Sequence, residues 1–324
     1  LNNDLIGGGR NSMIIPKLSW TELKEHIDLC HQYNIKFNYL LNSLCLGSQE
    51  FKKSFHKKLI KLLDKLSNIN VDGLTVASPY LCELVKKQYP QFKVSISDYN
   101  RIATLNQFKY WQNLGADEIT LFPFLNRDFP KLRELLTITR NTDLMLRLIA
   151  NNSCLRECPF HANHGANNSH SSRKNSFASK FTIDYCVLKC TNIKMKNPTQ
   201  YLTTEWIRPE DVKYYQQLCE ETGNYNLSLK LTDRSKTTGF LSRVAKAYHD
   251  LSYDGNLFDI INLATSKERK QLHMKSFVRT AVMGFYNMKT LMRMKDVHRT
   301  PELYLDNKKL DGFIEKFINN YDCD

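Results

Sequence analysis

Four cysteines stand in two C-x3-C pairs, Cys154/Cys158 and Cys186/Cys190, and they are the side chains best suited to chemistry in this sequence. Thiolates are soft donors, and four in two close pairs match the usual complement of a [4Fe–4S] cluster. Tetrahedral zinc could use the same set, and ordinary buried thiols are the third reading. A spacing of i, i+4 predicts that each pair shares one face of a helical turn. The first pair opens a run rich in His, Asn and Ser, NNSCLRECPFHANHGANNSHSSRKNS. His161, His164 and His170 in that run could replace a cysteine pair at zinc, but they crowd Cys158 too closely for zinc-finger spacing. Roles beside a metal or at a substrate fit them better, proton transfer by His164 or His170 among them. Cys30, Cys82, Cys219 and Cys323 lie on helical patterns or at the terminus and read as core or incidental thiols. Cys45 follows a strand pattern and precedes Gly47, a setting that allows a reactive role.

Groups able to hold an anion are spread along the chain. The run Gly7, Gly8, Gly9, Arg10 offers successive backbone N–H groups beside a guanidinium, which suits a carboxylate or phosphate; a plain turn is the bland alternative. Arg208 precedes a helix start at Pro209, where Glu210 and Asp211 suit the positive end of the helix. Lys230 and Arg234 flank Asp233 around a strand end, and Asn42 closes another strand. The expectation is that Arg208 joins His164 and His170 in catalysis, while Gly8, Gly9, Arg10, Asn42, Lys230 and Arg234 bind substrate. No Rossmann, Walker, nucleophile-elbow or zinc-protease pattern is present, so a hydrolytic mechanism has no motif behind it.

The elements that must position these groups alternate. Strand patterns cover Lys36 to Asn42, Gly73 to Ser78, Phe92 to Ser97, Asp117 to Pro123 and Asp143 to Asn151, with later ones at Leu202 to Ile207 and Leu227 to Thr232. Helical periodicity covers Thr21 to Tyr33, Gln49 to Ser67, Pro79 to Gln88, Arg101 to Leu114 and Phe129 to Thr139. Repeated strand–helix units argue for a parallel sheet, open or closed, and the rhythm fits a TIM-like (β/α)8 barrel, with its first strand before or around Asp4 to Ile6. Ligands of such a barrel bind where strands run into helices, which is where the cysteine segment and Asn42 fall. The stretch from His161 to Lys180 lacks strong periodicity and reads as a long loop. The division expected is a barrel over 1–235 carrying the cysteine-rich insert 151–190, then a helical C-terminal cap over 236–324.

Bulk properties set bounds. The chain has 324 residues, 42% hydrophobic and 24% charged, which is ordinary for a globular protein. No apolar run approaches the roughly 18 residues that cross a bilayer, and the N-terminus lacks a signal-peptide layout, so the expectation is a cytoplasmic protein without membrane contact. The chain starts at Leu1 rather than Met, which leaves room for a preceding segment in any count of strands. Nine cysteines in a reducing compartment favour thiols or metal ligands over disulfides. Net charge is +13, and nine Lys/Arg lie between Lys267 and Arg299 against Glu268 and Asp296. Such a patch suits RNA, an acidic peptide or an anionic small molecule; a solvated helix face is the bland reading.

The ordered set GGGR, FNYLLN, GADEIT, NRDF, NNSCLRECPFHANH, EWIRPEDVKYY, LKLTDR and YHDLSYDGNL resembles the peptidase U32 family, the collagenase-like proteins, from about Gly7 to Leu257. The resemblance implies a TIM-barrel-like catalytic domain. It also implies kinship with members that resemble iron–sulfur proteins acting in oxygen-independent hydroxylation of RNA or a quinone precursor, with prephenate as oxygen donor. Matched by position, Cys154, Cys158, Cys186 and Cys190 would be the cluster ligands. The family's peptidase signature has a Glu eight residues before its first cysteine, where this chain has Leu146, and a longer, Gly-containing gap where Cys154 and Cys158 are separated by three residues. Without the further C-terminal domains of the larger RNA-modifying members, the chain is nearer in length to the quinone-pathway members.

Three functions compete. The favoured one is an iron–sulfur enzyme that hydroxylates or otherwise modifies an RNA base, a peptide or a biosynthetic precursor without O2. The second is a module in which the metal is structural and the basic C-terminal helices dock RNA or a precursor peptide for a partner enzyme; a protein partner or homo-oligomer is compatible with either reading. The third, a protease, is expected least, because no motif supports it.

Overall fold

The computed structural model describes residues 5–9, 17–173, 176, 185–232, 236–261, 304–315 and 318. Arg10, Asp233, Arg234, Cys323 and the basic run from Lys267 to Arg299 lie outside them. Six strands form one sheet in the order β1 (Asn38–Leu41), β2 (Gly73–Val76), β3 (Lys93–Ile96), β4 (Glu118–Thr120), β5 (Met145–Ile149) and β6 (Leu227–Lys230). Neighbours from β1 to β5 pair in parallel. The expected closed eight-stranded barrel is therefore corrected: among the described residues the sheet has six strands and is open. One expected strand, Leu202 to Ile207, is not a strand, for a reason visible in its side-chain partners below.

The chain divides into two compact units, the first Leu1–Phe122, Thr142–Arg147 and Phe160–Asp184, the second Pro123–Asn141, Leu148–Pro159 and Tyr185–Asp324. In the first unit, β1 to β4 alternate with α1 (Trp20–Gln32), α2 (Lys53–Asn68), α3 (Pro79–Gln88) and α4 (Leu105–Asn113), and α6 (His161–Ser172) follows later. Helix α1 starts where Ser19 and Glu22 cap each other: Glu22 N donates to Ser19 Oγ at 3.2 Å and Ser19 N to Glu22 Oε2 at 2.7 Å. Along α2, Leu59, Leu62, Leu63 and Leu66 recur at three- and four-residue intervals and are buried, facing away from the exposed lysines of the same helix. Each such leucine contributes roughly 1.5–3 kcal/mol of burial. Strand β2 is buried throughout, as befits the interior of a parallel sheet.

The second unit contains α5 (Phe129–Thr139), α7 (Tyr185–Lys196), α8 (Val212–Thr222) and α9 (Thr238–His249). Helices α5 and α8 pack side by side, with the Phe129 and Tyr215 rings 5.1 Å apart and Asn224 Nδ2 donating to the Leu136 carbonyl at 2.8 Å. Trp206, Phe240, Val244, Leu257, Ile260 and Ile261 form a core, with Leu305, Leu310 and Phe313 packed against it. No described helix is long and apolar enough to cross a membrane.

Candidate functional site

In the second unit the cysteine segment is built on a strand end. Strand β5 runs into Asn151, whose side chain ties the ends of β5 and β6 together: Thr232 N donates to Asn151 Oδ1 at 2.7 Å, and Asn151 Nδ2 donates to the Thr232 carbonyl. Asn152 Oδ1 then accepts from Cys154 N at 3.1 Å, an Asx turn that launches the loop. The first C-x3-C pair is not on a helix, which corrects the expectation of a shared helical face. Glu157, between the two cysteines, sits at φ 46°, the left-handed region that non-glycine residues rarely occupy. Cys154 is exposed and Cys158 is buried.

The second pair does lie on a helix. Cys186, Cys190 and Lys194 are spaced i, i+4, i+8 along α7, so they share one stripe. Lys194, buried, donates to the carbonyl of Ser153, the residue before Cys154, and its ammonium lies 5.1 Å from the Tyr201 ring centroid. One lysine thus binds the helix carrying the second pair to the loop carrying the first. Among the described residues, no three of the Cys, His, Asp and Glu side chains are gathered to metal-binding distance.

Beneath the cysteine loop is a residue that sequence reading missed. Glu205 is 3% exposed, and its Oε1 lies 3.5 Å from Nε of Arg156, between Cys154 and Cys158 in sequence. Burial pushes its carboxyl up to about 7, although Arg127 and Arg156 pull the other way. The surrounding segment is held by side chains rather than by a sheet ladder. Arg127 Nη2 donates to the carbonyls of Thr204 and Trp206, both at 2.9 Å, and Asn126 Nδ2 donates to the Glu205 carbonyl at 2.5 Å. That is why the expected strand there is not one.

The first unit gathers the histidines. Helix α6 replaces the loop expected from His161 onward, because its packing face is made of small residues instead of large apolar ones. Ser169 Oγ accepts from Leu44 N at 2.8 Å, docking α6 on the segment after β1. A Cβ on Gly165 would stand 2.7 Å from Leu44 Cδ1 and 3.3 Å from Tyr99 Cδ1. The Gly7–Gly9 segment lies against the same elements: Gly7 abuts Ser172, and the Gly9 carbonyl accepts from Tyr99 Oη at 3.0 Å. Gly9 has φ +64°, and a Cβ there would meet Tyr99 Cε2 at 2.7 Å and Asn42 Oδ1 at 3.2 Å. Only glycine fits that approach. Asn42 Nδ2 in turn donates to Ser97 Oγ at 3.1 Å, just past the end of β3.

His161, His164 and His170 do not behave alike. His161, with its side chain 10% exposed, sits with Nε2 4.0 Å from Asp98 Oδ2. Its ring lies 6.0 Å from that of Tyr99 and 5.2 Å from that of Phe122. Burial lowers its pKa, opposed by Asp98 and helped by Arg101 and His164. His170 accepts at Nδ1 from Arg173 Nη2 at 3.1 Å, which leaves the proton of a neutral ring on Nε2. Burial, then Arg173, lowers its pKa as well.

The expected site residues therefore fall into two groups. His164, His170, Gly8, Gly9 and Asn42 belong to the first unit, and the four cysteines, Arg208 and Lys230 to the second. Arg208 is 2% exposed and its donors are engaged: Nε and Nη2 bind Asp211 at 2.9 and 2.8 Å, while Nη1 binds the Asn307 carbonyl and Asp311 at 2.7 and 3.0 Å. It works as a structural clamp. The Lys230 carbonyl accepts from Ala150 N at 3.1 Å at the strand end. A polar row across the sheet also went unread: Ser95 Oγ donates to Glu118 Oε2 at 2.6 Å, and Arg147 Nη2 to Glu118 Oε1 at 2.7 Å. Its signal was a charged residue inside each of two short apolar strands, EIT and MLRLI.

Comparison with known proteins sets this arrangement in context. The model of peptidase family U32 matches residues 7–295. "Uncharacterized protease MJ1657" of Methanocaldococcus jannaschii is 27% identical over 312 residues, covering 96% of this chain and 79% of that protein. The solved structure of "the U32 Peptidase Mk0906" superposes with a TM-score of 0.50 at 21% identity, over 70% of this chain and 81% of that one, a likeness of fold.

Proposed function

The chain belongs to peptidase family U32, and from that premise we propose that it is an enzyme whose Cys154, Cys158, Cys186 and Cys190 hold a [4Fe–4S] cluster. Its reaction would be hydroxylation or a related modification, without O2, of an anionic organic substrate: an RNA base, a peptide or a biosynthetic precursor. The observation that carries this reading is the bond from Lys194 to the Ser153 carbonyl, which joins the stripe of Cys186 and Cys190 to the residue beside Cys154. Four cysteines far apart in sequence thereby share two bonded segments of one unit. The donor set is chemically suited to the group: four soft thiols, with Cys158 and Cys186 buried among core residues. Cys154 is the exposed member of the set.

When bound, such a cluster, with each iron held by one of the four cysteines, would supply electron transfer. The first unit, taken by itself, offers a histidine suited to carry a proton. His170, its Nδ1 engaged by Arg173, is oriented to donate from Nε2. The substrate's oxygen donor would be a carboxylate compound such as prephenate. Arg208 is left out of this scheme, because binding a substrate would break a buried ion pair.

Anaerobic purification followed by iron and sulfide analysis tests the reading. Iron-bearing protein that loses its metal on Cys186→Ser and Cys190→Ser supports it, and iron-free protein with full activity refutes it. A second reading, peptide hydrolysis, is favoured by the protease names of both relatives. Cleavage of a defined peptide by iron-free protein would establish it.

A further inference from the structure

We propose that His161, beside the Asp98 carboxylate, is a proton-transfer residue of the first unit, its Nδ1 taking a proton from a hydroxyl or N–H group of the substrate and returning it to product. The proposal rests on the enzymatic reading above and adds to it a residue and a role.

The geometry sets His161 apart from the other two histidines. A buried histidine that only fills space has both ring nitrogens satisfied, because an unpaired buried acceptor leaves its desolvation cost unrecovered. His161 has one nitrogen facing the Asp98 carboxylate and the other, Nδ1, buried with no hydrogen-bond partner. Tyr99 and Phe122 restrain the ring edge-on from two sides. In His170 the equivalent nitrogen already accepts from Arg173. The segment after β3 that presents Asp98 is itself unusual. Arg101 sits in the left-handed region at φ 51°, and Asn100 Nδ2 is a second buried polar atom without a partner.

The step balances without a co-reactant. The substrate X–H bond breaks, its electron pair stays on X, and the proton forms a bond to Nδ1. The imidazolium charge is then countered by Asp98, while Arg101 and His164 oppose it. Before reaction the ring is neutral at physiological pH, since burial outweighs Asp98. With the proton of the neutral ring on Nε2, the nitrogen 4.0 Å from the Asp98 carboxylate, Nδ1 would carry the open lone pair.

Nitrogen-15 NMR of the histidines in the full chain tests this, with and without Asp98→Asn. The expected result is an Nε2–H tautomer for His161, titrating below the ordinary histidine value and lower still in Asp98→Asn. An Nδ1–H tautomer, or a titration indifferent to Asp98→Asn, overturns the proposal. In cells lacking the gene, mass spectrometry identifies the product that the wild-type chain restores. His161→Gln should restore it about 100-fold less well, with the iron content of the purified protein unchanged. Full restoration by His161→Gln overturns the proposal while leaving the cluster reading standing. Iron-free wild-type protein that restores the product refutes the cluster reading without touching His161.

Discussion

Replacing Glu205 by Gln should make the protein more stable at alkaline pH and leave the acid side nearly unchanged. The Glu205 carboxyl, ordinarily near 4.5, is raised by burial to about 7 in the folded chain. A raised carboxyl holds its proton more tightly when folded, so its stabilising contribution is complete below about 4.5 and is lost as pH rises through about 7. At 1.36 kcal/mol per pH unit, that span amounts to about 3 kcal/mol. Glutamine keeps the shape and does not titrate. The stability difference between Glu205→Gln and wild type should therefore shift in the variant's favour by up to about 3 kcal/mol between about pH 4.5 and about pH 8. The lost ion pair to Arg156 subtracts little, because the Arg156 side chain is 45% exposed and such pairs contribute about 0–1 kcal/mol. Urea unfolding followed by circular dichroism, at half-unit steps over that range, measures the difference directly, since titrations elsewhere cancel. A difference that is flat with pH would refute the claim that Glu205 is buried and protonated.

Other substitutions probe other parts of the fold. Arg208→Ala strips the partner from buried Asp211 and should cost about 3–5 kcal/mol in thermal or urea unfolding, with Arg208→Lys intermediate because it loses the two-pronged contact; a loss below about 1 kcal/mol would show that the clamp is dispensable. Gly165→Val forces side-chain atoms against Leu44 and Tyr99 and should cost about 1–3 kcal/mol, with faster amide exchange confined to α6. Arg173→Met removes a positive neighbour from His170 and should raise that histidine's pKa towards its ordinary value, read by NMR titration; an unmoved titration would mean that burial acts alone.

Much of the scaffold was legible because it follows apolar periodicity. Helices α3 and α5 fall on their expected bounds, and six of the seven internal strand patterns are strands. The exceptions have identifiable causes. Helix α6 hid because Gly165 and Ser169 make its contact, and small residues leave no apolar stripe along the sequence. Leu202 to Ile207 reads as a strand in sequence, yet its carbonyls are claimed by Asn126 and Arg127, partners about eighty residues away in sequence that no local pattern announces. Barrel closure was inferred from rhythm, which an open parallel sheet shares. At the site, spacing correctly put Cys186 and Cys190 on a helix but misjudged Cys154 and Cys158, where an Asx turn and a left-handed Glu157 prevail. Glu205 and Asp98 could not be singled out beforehand, since only burial and a neighbour across the fold make a carboxylate unusual.

Anaerobic purification with iron and sulfide quantification, alongside electron paramagnetic resonance, tests the cluster most directly. The expected result is about four irons and four sulfides per chain, with a reducible cluster signal that disappears in a Cys186→Ser, Cys190→Ser double variant that still folds. Iron-free wild-type protein with undiminished activity, or iron retained by the double variant, would contradict it.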